Sequence, residues 1–526
     1  MVDRYDVAVI GSGFGGSIAA FRYAAAGLRV IVLERGPAVP DAALAQSEAP
    51  DSLYRIYTRY QSVYVPATGR GGLDVLTGSV VGGGSIVYSG VSLRAPSFVF
   101  DRTEGGGRRL FPAAITRAEL DPFYDLVERN LPVTQMVWRT GDPGEQWRQV
   151  PRRGSVWASA ARLGGHTVLP IRQAVDDCLH CGWCNTGCQF GRKRDMTKNY
   201  LGAARRLGVE VRSGVEVDLV ARVAGVWQVI GHPGPGAEGG SGQGVALLQA
   251  DEVVVAAGAI GSTLLLQRSG ISNPHLGRHI SGNADLPLGA FMPQRTDVYQ
   301  GVAMDTVSFD WLRPESTGPH AADKFIVITQ HMLPLSTLID GHGASRSGQP
   351  DAWGLTKKQR YRDFGSHFLG LAVIGLDDSE GVIDGPEVSV YQGNRLLPLR
   401  YEQSPASKAV WDRARTVCRG IVEDAGGTFV DVAREYPNPQ TAHPLGGTRM
   451  AVARGDGVVD QDGRVFGQPG LSVLDGSIVP TALAVNPSLT IAALVERAMQ
   501  RRLRAMGRPD AADLRPDAVL HGRAHR

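Results

Sequence analysis

Residues 5–10, YDVAVI, form a short, mainly apolar run with the pattern of a buried strand. The run passes into GSGFGG (11–16) and then into SIAAFRYAAAGLRV, a mainly small and apolar stretch that predicts a packed helix ending near Gly27. A second apolar run, RVIVLER, ends on Glu34. Farther along, EVVVAAGAIGSTLLLQRSG (252–270) predicts a buried strand, a glycine-marked turn and a short helix. Residues 107–175 are mixed and proline-containing, with one helical stretch, RAELDPFYDLVERNL. TKNYLGAARRLGVEVRSGVEVDLVAR predicts helix then strand, and residues 286–435 are richer in polar strands and loops. SKAVWDRARTVCRGIVEDAGG (407–427) is an amphipathic helix ended by glycine, with Cys418 expected as a packed free thiol. NPSLTIAALVERAMQRRL predicts a helix with Pro487 in its first turn. The polar stretch from about residue 507 reads as a loose tail.

Strand, glycine turn, helix and strand within residues 5–34 make the unit that binds dinucleotides. Gly11 permits the tight turn, Gly13 lets backbone N–H groups approach a pyrophosphate, and Gly16 lets helix and strand pack closely. Glu34, at the end of the second strand, is placed to accept from ribose hydroxyls. The unit does not separate FAD from NAD. A second glycine cluster, TGSVVGGGSIVYSGVSLRAP (77–96), is flanked closely by Val80, Val81, Ile86 and Val87, which predicts a buried loop able to approach a flat ligand.

The chain has 526 residues, too many for one ordinary core, so two or three domains are expected. A formal net charge of +3 with no concentrated basic run gives no footprint for a nucleic-acid partner. No apolar run approaches the roughly 20 residues of a membrane span. MVDRYDVAVIGSG passes straight into a strand without the pattern of a signal peptide, so a cytoplasmic protein is expected. Five cysteines in a chain of this size argue against a disulfide framework.

Four of the five lie in DDCLHCGWCNTGCQFGRK (176–193), as Cys178, Cys181, Cys184 and Cys188. The spacing is C-x2-C-x2-C-x3-C, the run of bacterial ferredoxins, with Gln189 in place of the usual proline. Three readings stand side by side. One is an iron–sulfur cluster passing electrons onward, one is a four-thiolate zinc site, and one is a structural or disulfide-capable loop. Arg192 and Lys193 beside it read as surface or phosphate-side charges.

Residues 441–494 carry TAHPLGGTRM, GLSVLDGS and NPSLTIAAL. With the opening glycine unit, VVGGGS (80–85) and VVVAAGAIGS (253–262), they resemble, in order, the glucose–methanol–choline (GMC) oxidoreductases, and within them the cholesterol-oxidase-like bacterial branch. The resemblance implies FAD and an α/β fold. That fold is a discontinuous FAD-binding Rossmann-like domain with an α+β substrate domain built on a mostly antiparallel sheet. The implied FAD-binding stretches are 1–105, 193–285 and 440–506. A cap segment with the cysteine run fills 106–192, the substrate domain is 286–439, and 507–526 is the tail.

The family's catalytic His and Asn match His443 and Asn486. The implied chemistry is oxidation of a CH–OH group, with His443 holding the hydroxyl proton and hydride passing to flavin. Asn486 would orient the hydroxyl or touch the flavin edge, or cap the helix that follows it. The implied cofactor contacts are Gly11, Gly13, Phe14, Gly15, Gly16, Glu34 and Arg35 at the first turn; Gly82, Gly83, Gly84, Ser85 and Tyr88 in the flavin loop; Val217 on the adenine side; and Ala257, Gly258, Asp475, Gly476, Asn486 and Pro487. The substrate is expected to be an apolar, sterol-like or natural-product alcohol, and the electron acceptor oxygen or another acceptor.

The chain departs from the cholesterol oxidases at two points. Their additional substrate-domain glutamate has no evident match, although GLAVIGLDDSEGVIDG offers Asp377, Asp378 and Glu380, and Tyr88 stands where they have Asn. Steroid isomerisation is therefore not implied. Non-redox isomerase or lyase chemistry on the same fold, a cluster-containing dehydrogenase serving a partner protein, and a non-enzymatic dinucleotide-binding protein stay open.

Overall fold

The structure is a computed structural model; it describes residues 2–47, 52, 55–64, 71–234, 246–313, 320–332, 354–387, 389–391 and 394–522. Asp3–Ile10 is a strand between Val30–Glu34 and Ala246–Val255, parallel to both, with Val7 opposite Val30 and Glu252. Glu210–Ser213 extends this sheet beside Val30–Glu34, and Leu471–Val473 pairs in parallel with Val253–Val255. A hairpin, Val215–Val223 with Val226–Pro233, completes seven strands. Three separated stretches of chain thus build one sheet. Its central strands are apolar on both faces because helices cover them.

The helix Phe14–Ala25 buries Gly15 through Ala24 without interruption, which explains its small side chains. It packs against the long helix Ser488–Ala505, and Arg117–Asn130 lies on the far side of that helix. The fully buried Arg22 and Glu496 join the two inner helices at 2.8 Å.

A second sheet runs in the order Thr428–Val430, Leu286–Phe291, Phe368–Gly375, Phe325–Gln330, Met304–Ser308, Leu169–Pro170, with every pair antiparallel. Pro405–Asp424 covers it with Val410, Trp411, Ala414, Cys418, Ile421 and Val422. Cys418 is buried as a free thiol, and burial pushes its pKa up to about 12. A third, five-stranded sheet sets Gln440–Thr441 in parallel beside Asp74 and Val75, which carries the chain to His443. The parallel sheet with covering helices and the separate antiparallel sheet together make the α/β fold expected above.

The expected loose tail differs. Pro509–Asp513 and Pro516–His521 are short helices, with Ala511 and Ala512 buried against Ala26 and Leu503. Arg22 Nη1 donates to Ala511 O at 3.2 Å and to Leu514 O at 2.7 Å. A buried guanidinium needs these acceptors, and that need holds a polar segment in place. Residues 523–526 lie outside the described residues. Among the described residues no helix is long and apolar enough to cross a membrane.

Candidate active site

His443 follows the short strand Gln440–Thr441, and its backbone N–H donates to Thr441 Oγ1 at 2.8 Å. Its Nδ1 lies 2.8 Å from Asp285 Oδ1, and its Nε2 lies 3.1 Å from Asn486 Nδ2. The second oxygen of Asp285 accepts from the Thr441 hydroxyl at 2.8 Å and from Ala442 N–H at 3.2 Å. The carboxylate therefore holds the His443 segment at three points.

These bonds set the imidazole's tautomer. Nδ1 donates to an acceptor-only carboxylate, so Nδ1 carries the hydrogen; Nε2 is then bare and accepts from the Asn486 amide. Asn486 Oδ1 is buried without a protein partner. Asn486 does not cap the helix after it: Ser488–Ala505 starts at Pro487 with no side-chain cap, so its first amides stay open.

One turn places both groups. Asn283 and Ala284 have φ of 55° and 47°, a left-handed pair ahead of Asp285. Asn283 Nδ2 donates to Val485 O at 2.8 Å, and its Oδ1 accepts from Leu483 N–H at 2.8 Å. The turn thus grips the chain just before Asn486 while Asp285 grips His443. Behind it Asp377 accepts from Gly282 N–H, Ala284 N–H and the Tyr401 hydroxyl. Asp377 is therefore part of the frame. Glu380 accepts from Ser404 N–H and the Ser407 hydroxyl, and Asp378 from the Ser404 hydroxyl. None of the three contacts His443.

Asp285 and Asn283 were missed from sequence, and Asp377 was named only as a candidate substrate-domain acid. GNAD has turn composition, and nothing local marks its acid as the partner of a histidine 158 residues away.

At the other end, a Cβ on Gly11 (φ +100°) would lie 2.3 Å from Ala256 O, one on Gly15 1.7 Å from Leu474 O, and one on Gly16 2.0 Å from Gly11 O. Gly13 is different, since a Cβ there meets no protein atom within 4 Å, and the same holds for Gly84. Gly13 begins the helix Phe14–Ala25 with no side-chain cap, so uncapped amides face that open space. Gly83 packs its α-carbon side against Gly13, and Gly82 N–H donates to Ser12 Oγ at 2.9 Å. The two glycine clusters therefore meet. Ser85, fully buried, accepts from Met196 N–H at 3.0 Å.

Glu34 accepts from Ser12 N–H, the Ser12 hydroxyl and Gly36 N–H. Burial raises its pKa against those bonds. Arg35 donates to the Ser79, Tyr60 and Thr58 hydroxyls and faces Glu216 at 3.9 Å. The Val217 carbonyl accepts from Arg268 at 3.3 Å. Asp475 accepts from Gly258 N–H, Ser262, and Ser477, so it ties the strand end at Leu474 to the turn at Ala257 and Gly258. Burial raises its pKa too. Gly476 opens a short turn after it. The Tyr88 ring sits edge-on to Phe14 at 5.3 Å, and its hydroxyl donates to Arg194 O at 2.8 Å.

Cys178, Cys181, Cys184 and Cys188 line one recess. Lys193 is not a surface charge: it is 1% exposed and donates to Ile86 O, Tyr88 O and Cys184 O at 2.6–2.7 Å. A polar run conceals this role, because three carbonyls take the place of water around the ammonium. Burial pulls its pKa down to about 8. Arg192 pairs with Asp177 at 3.0 Å.

Models of the GMC oxidoreductase family match residues 26–284 and 399–494, in the order the fold uses them. The chain belongs to the GMC oxidoreductases. Among curated proteins, this GMC oxidoreductase is 27% identical to a cholesterol oxidase of Mycobacterium tuberculosis, over 95% of this chain and 91% of that protein. It is 26% identical to the long-chain-alcohol oxidase FAO4B of Arabidopsis thaliana over 93% of its own length, and it spans 66% of the plant protein. Pyridoxine 4-oxidase from Mesorbium loti shares the fold, with a TM-score of 0.67, 18% identity, and coverage of 95% of this chain and 99% of that one.

Proposed function

We propose that this GMC oxidoreductase oxidises the CH–OH group of an apolar alcohol, with FAD as hydride acceptor and His443 Nε2 as the base. The observation that carries the reading is the Asp285–His443–Asn486 chain, which leaves a bare imidazole nitrogen beside an amide whose own oxygen lacks a partner.

The residues fit FAD. Gly13 and Gly84 leave space that side chains would fill, and the open amides after Gly13 suit a pyrophosphate. Glu34, Arg35 and Val217 would hold the adenosine side. Gly82, Gly83, Ser85, Tyr88, Ala257, Gly258, Asp475 and Gly476 would frame the rest. When bound, the flavin ring supplies a two-electron hydride acceptor. The uncapped start of Ser488–Ala505 carries partial positive charge next to Asn486, which would suit a ring that gains electron density.

The chain's own part is proton handling and positioning. Nε2 takes the hydroxyl proton as the carbon gives up hydride, and the imidazolium formed is stabilised by Asp285 through Nδ1. Asn486 Nδ2 directs the alcohol oxygen, and its Oδ1 is free to accept from substrate or cofactor. An apolar substrate is favoured by two relatives, the cholesterol oxidase and the long-chain-alcohol oxidase.

The test is anaerobic titration of the flavin-loaded protein with long-chain primary alcohols and 3β-hydroxysterols, following loss of visible flavin absorbance. Bleaching by one class identifies it. In His443→Ala, FAD should remain stoichiometric and the bleaching rate should fall about 10²–10⁴-fold. Wild-type rates in that variant would remove His443 from the mechanism.

A further inference from the structure

We propose that Cys178, Cys181, Cys184 and Cys188 ligate one four-iron, four-sulfide cluster that relays single electrons from the flavin loop to the protein surface. The spacing alone left cluster, zinc and plain loop open; three structural observations favour the cluster.

First, all four thiols line one and the same recess, which opens to solvent. Two-cluster ferredoxins send their fourth cysteine to a second centre. Here Cys188 faces the same recess as the other three, and the described residues hold only one further cysteine, buried in the antiparallel layer.

Second, two of the four sulfurs accept from backbone amides. His180 N–H donates to Cys178 Sγ at 3.4 Å and Arg192 N–H to Cys188 Sγ at 3.2 Å. Amide donors to sulfur stabilise ligating thiolates and tune cluster potential. The winding that aims them uses left-handed residues at Asp177, His180, Gly182, Gly187 and Gly191.

Third, the recess is fastened to the flavin loop. Lys193 reaches from Cys184 O to Ile86 O and Tyr88 O, placing a buried cation beside the thiolates. Asn185 Nδ2 donates to Val87 O at 2.9 Å and to Ser89 Oγ at 3.2 Å. On the outer side Cys181 is exposed, flanked by exposed Leu179 and Phe190. One end of the site thus touches the segment assigned to flavin and the other touches solvent.

Alcohol oxidation yields two electrons and two protons; hydride carries both electrons and one proton to the flavin, and His443 takes the other proton. Regenerating the flavin then takes two successive one-electron passes through the cluster to a one-electron acceptor, with both protons released to water. The relay rests on the flavin reading above, whereas the metal content does not.

The full chain is purified without oxygen, reconstituted with ferrous iron and sulfide, and assayed for iron, acid-labile sulfide, zinc and FAD. About four irons and four sulfides per chain are expected. Cys181→Ser and Cys184→Ser should each lose most of the iron and keep FAD. Stoichiometric zinc, substoichiometric iron after reconstitution, or full iron in both variants overturns the site. For the relay, the flavin is reduced photochemically, without any alcohol, and the sample is frozen for electron paramagnetic resonance. A reduced-cluster signal that grows with flavin reduction is expected, as is ferricyanide reduction that falls at least tenfold in Cys181→Ser. A cluster that stays oxidised beside reduced flavin overturns the relay. Failure of alcohols to bleach the flavin would count against the proposed function alone.

Discussion

Asp285 Oδ1 lies 2.8 Å from His443 Nδ1, on the ring edge opposite the one that faces Asn486. The carboxylate does two things there. It fixes which nitrogen is bare, and on the proposed mechanism it would stabilise the imidazolium once Nε2 has taken a proton. On that reading it touches no reacting atom and would act through His443.

Asp285→Asn tests that role. The amide can donate as well as accept, so the ring is no longer held to one tautomer, and the balancing negative charge is lost. Flavin reduction should slow by at least tenfold, with FAD content and substrate KM little changed. Asp285→Glu should recover part of the rate. Unchanged reduction in Asp285→Asn would reduce the pair to a structural contact.

The glycines of the first turn divide in a way that a paired substitution can read. At Gly15 an added Cβ would lie 1.7 Å from Leu474 O, backbone that cannot yield, so Gly15→Ala should fold poorly or not at all. At Gly13 the backbone is in an ordinary region (φ −68°) and a Cβ meets no protein atom. Gly13→Ala should therefore keep the apoprotein's melting temperature and weaken FAD binding, and Gly13→Val should abolish it. Stoichiometric FAD in Gly13→Val would mean that the open space there is not the pyrophosphate's.

Residues whose geometry is dictated locally were legible in sequence. Gly11 and Gly16 are marked because a close approach to Ala256 and to Gly11 itself leaves no room for a side chain. His443 and Asn486 are marked by their motif. Asp285 is not, because its partner is chosen by a left-handed turn that tertiary packing against Leu483 and Val485 imposes. Lys193 looked solvated because only folding collects its three carbonyl acceptors. The tail looked loose because two alanines and two backbone oxygens are too small a signal for periodicity to register.

At the proposed adenine end, Glu216 gives a pH test. Burial works to raise its pKa, but the hydrogen bond from Arg395 and the charges of Arg35 and Arg395 outweigh it and hold the carboxyl below its ordinary value. The folded state thus binds fewer protons than the unfolded chain across that interval. The resulting stability is present above the ordinary glutamate range and is lost as pH falls through the depressed folded value. Melting temperature should fall more steeply on acidification in wild type than in Glu216→Gln, and the two curves should approach each other at low pH. Parallel curves would mean that the Arg395 bond, 2.7 Å long, carries no net stability.

Arg22 makes the last test, because its charge is met from two directions. Nε and Nη2 engage Glu496 at 2.8 Å each, while Nη1 has only the carbonyls of Ala511 and Leu514. Removing residues 509–526 leaves Glu496 in place but strips Nη1 of its acceptors in a fully buried setting. The loss should be about 1–3 kcal/mol, the cost of a buried donor left unpaired, and should appear as a lower melting temperature. Glu496→Gln in the full chain should cost more, about 3–5 kcal/mol, because it leaves the guanidinium's charge unbalanced. If the truncated chain melts with the full-length protein, the two terminal helices rest on the surface without bearing on the buried pair.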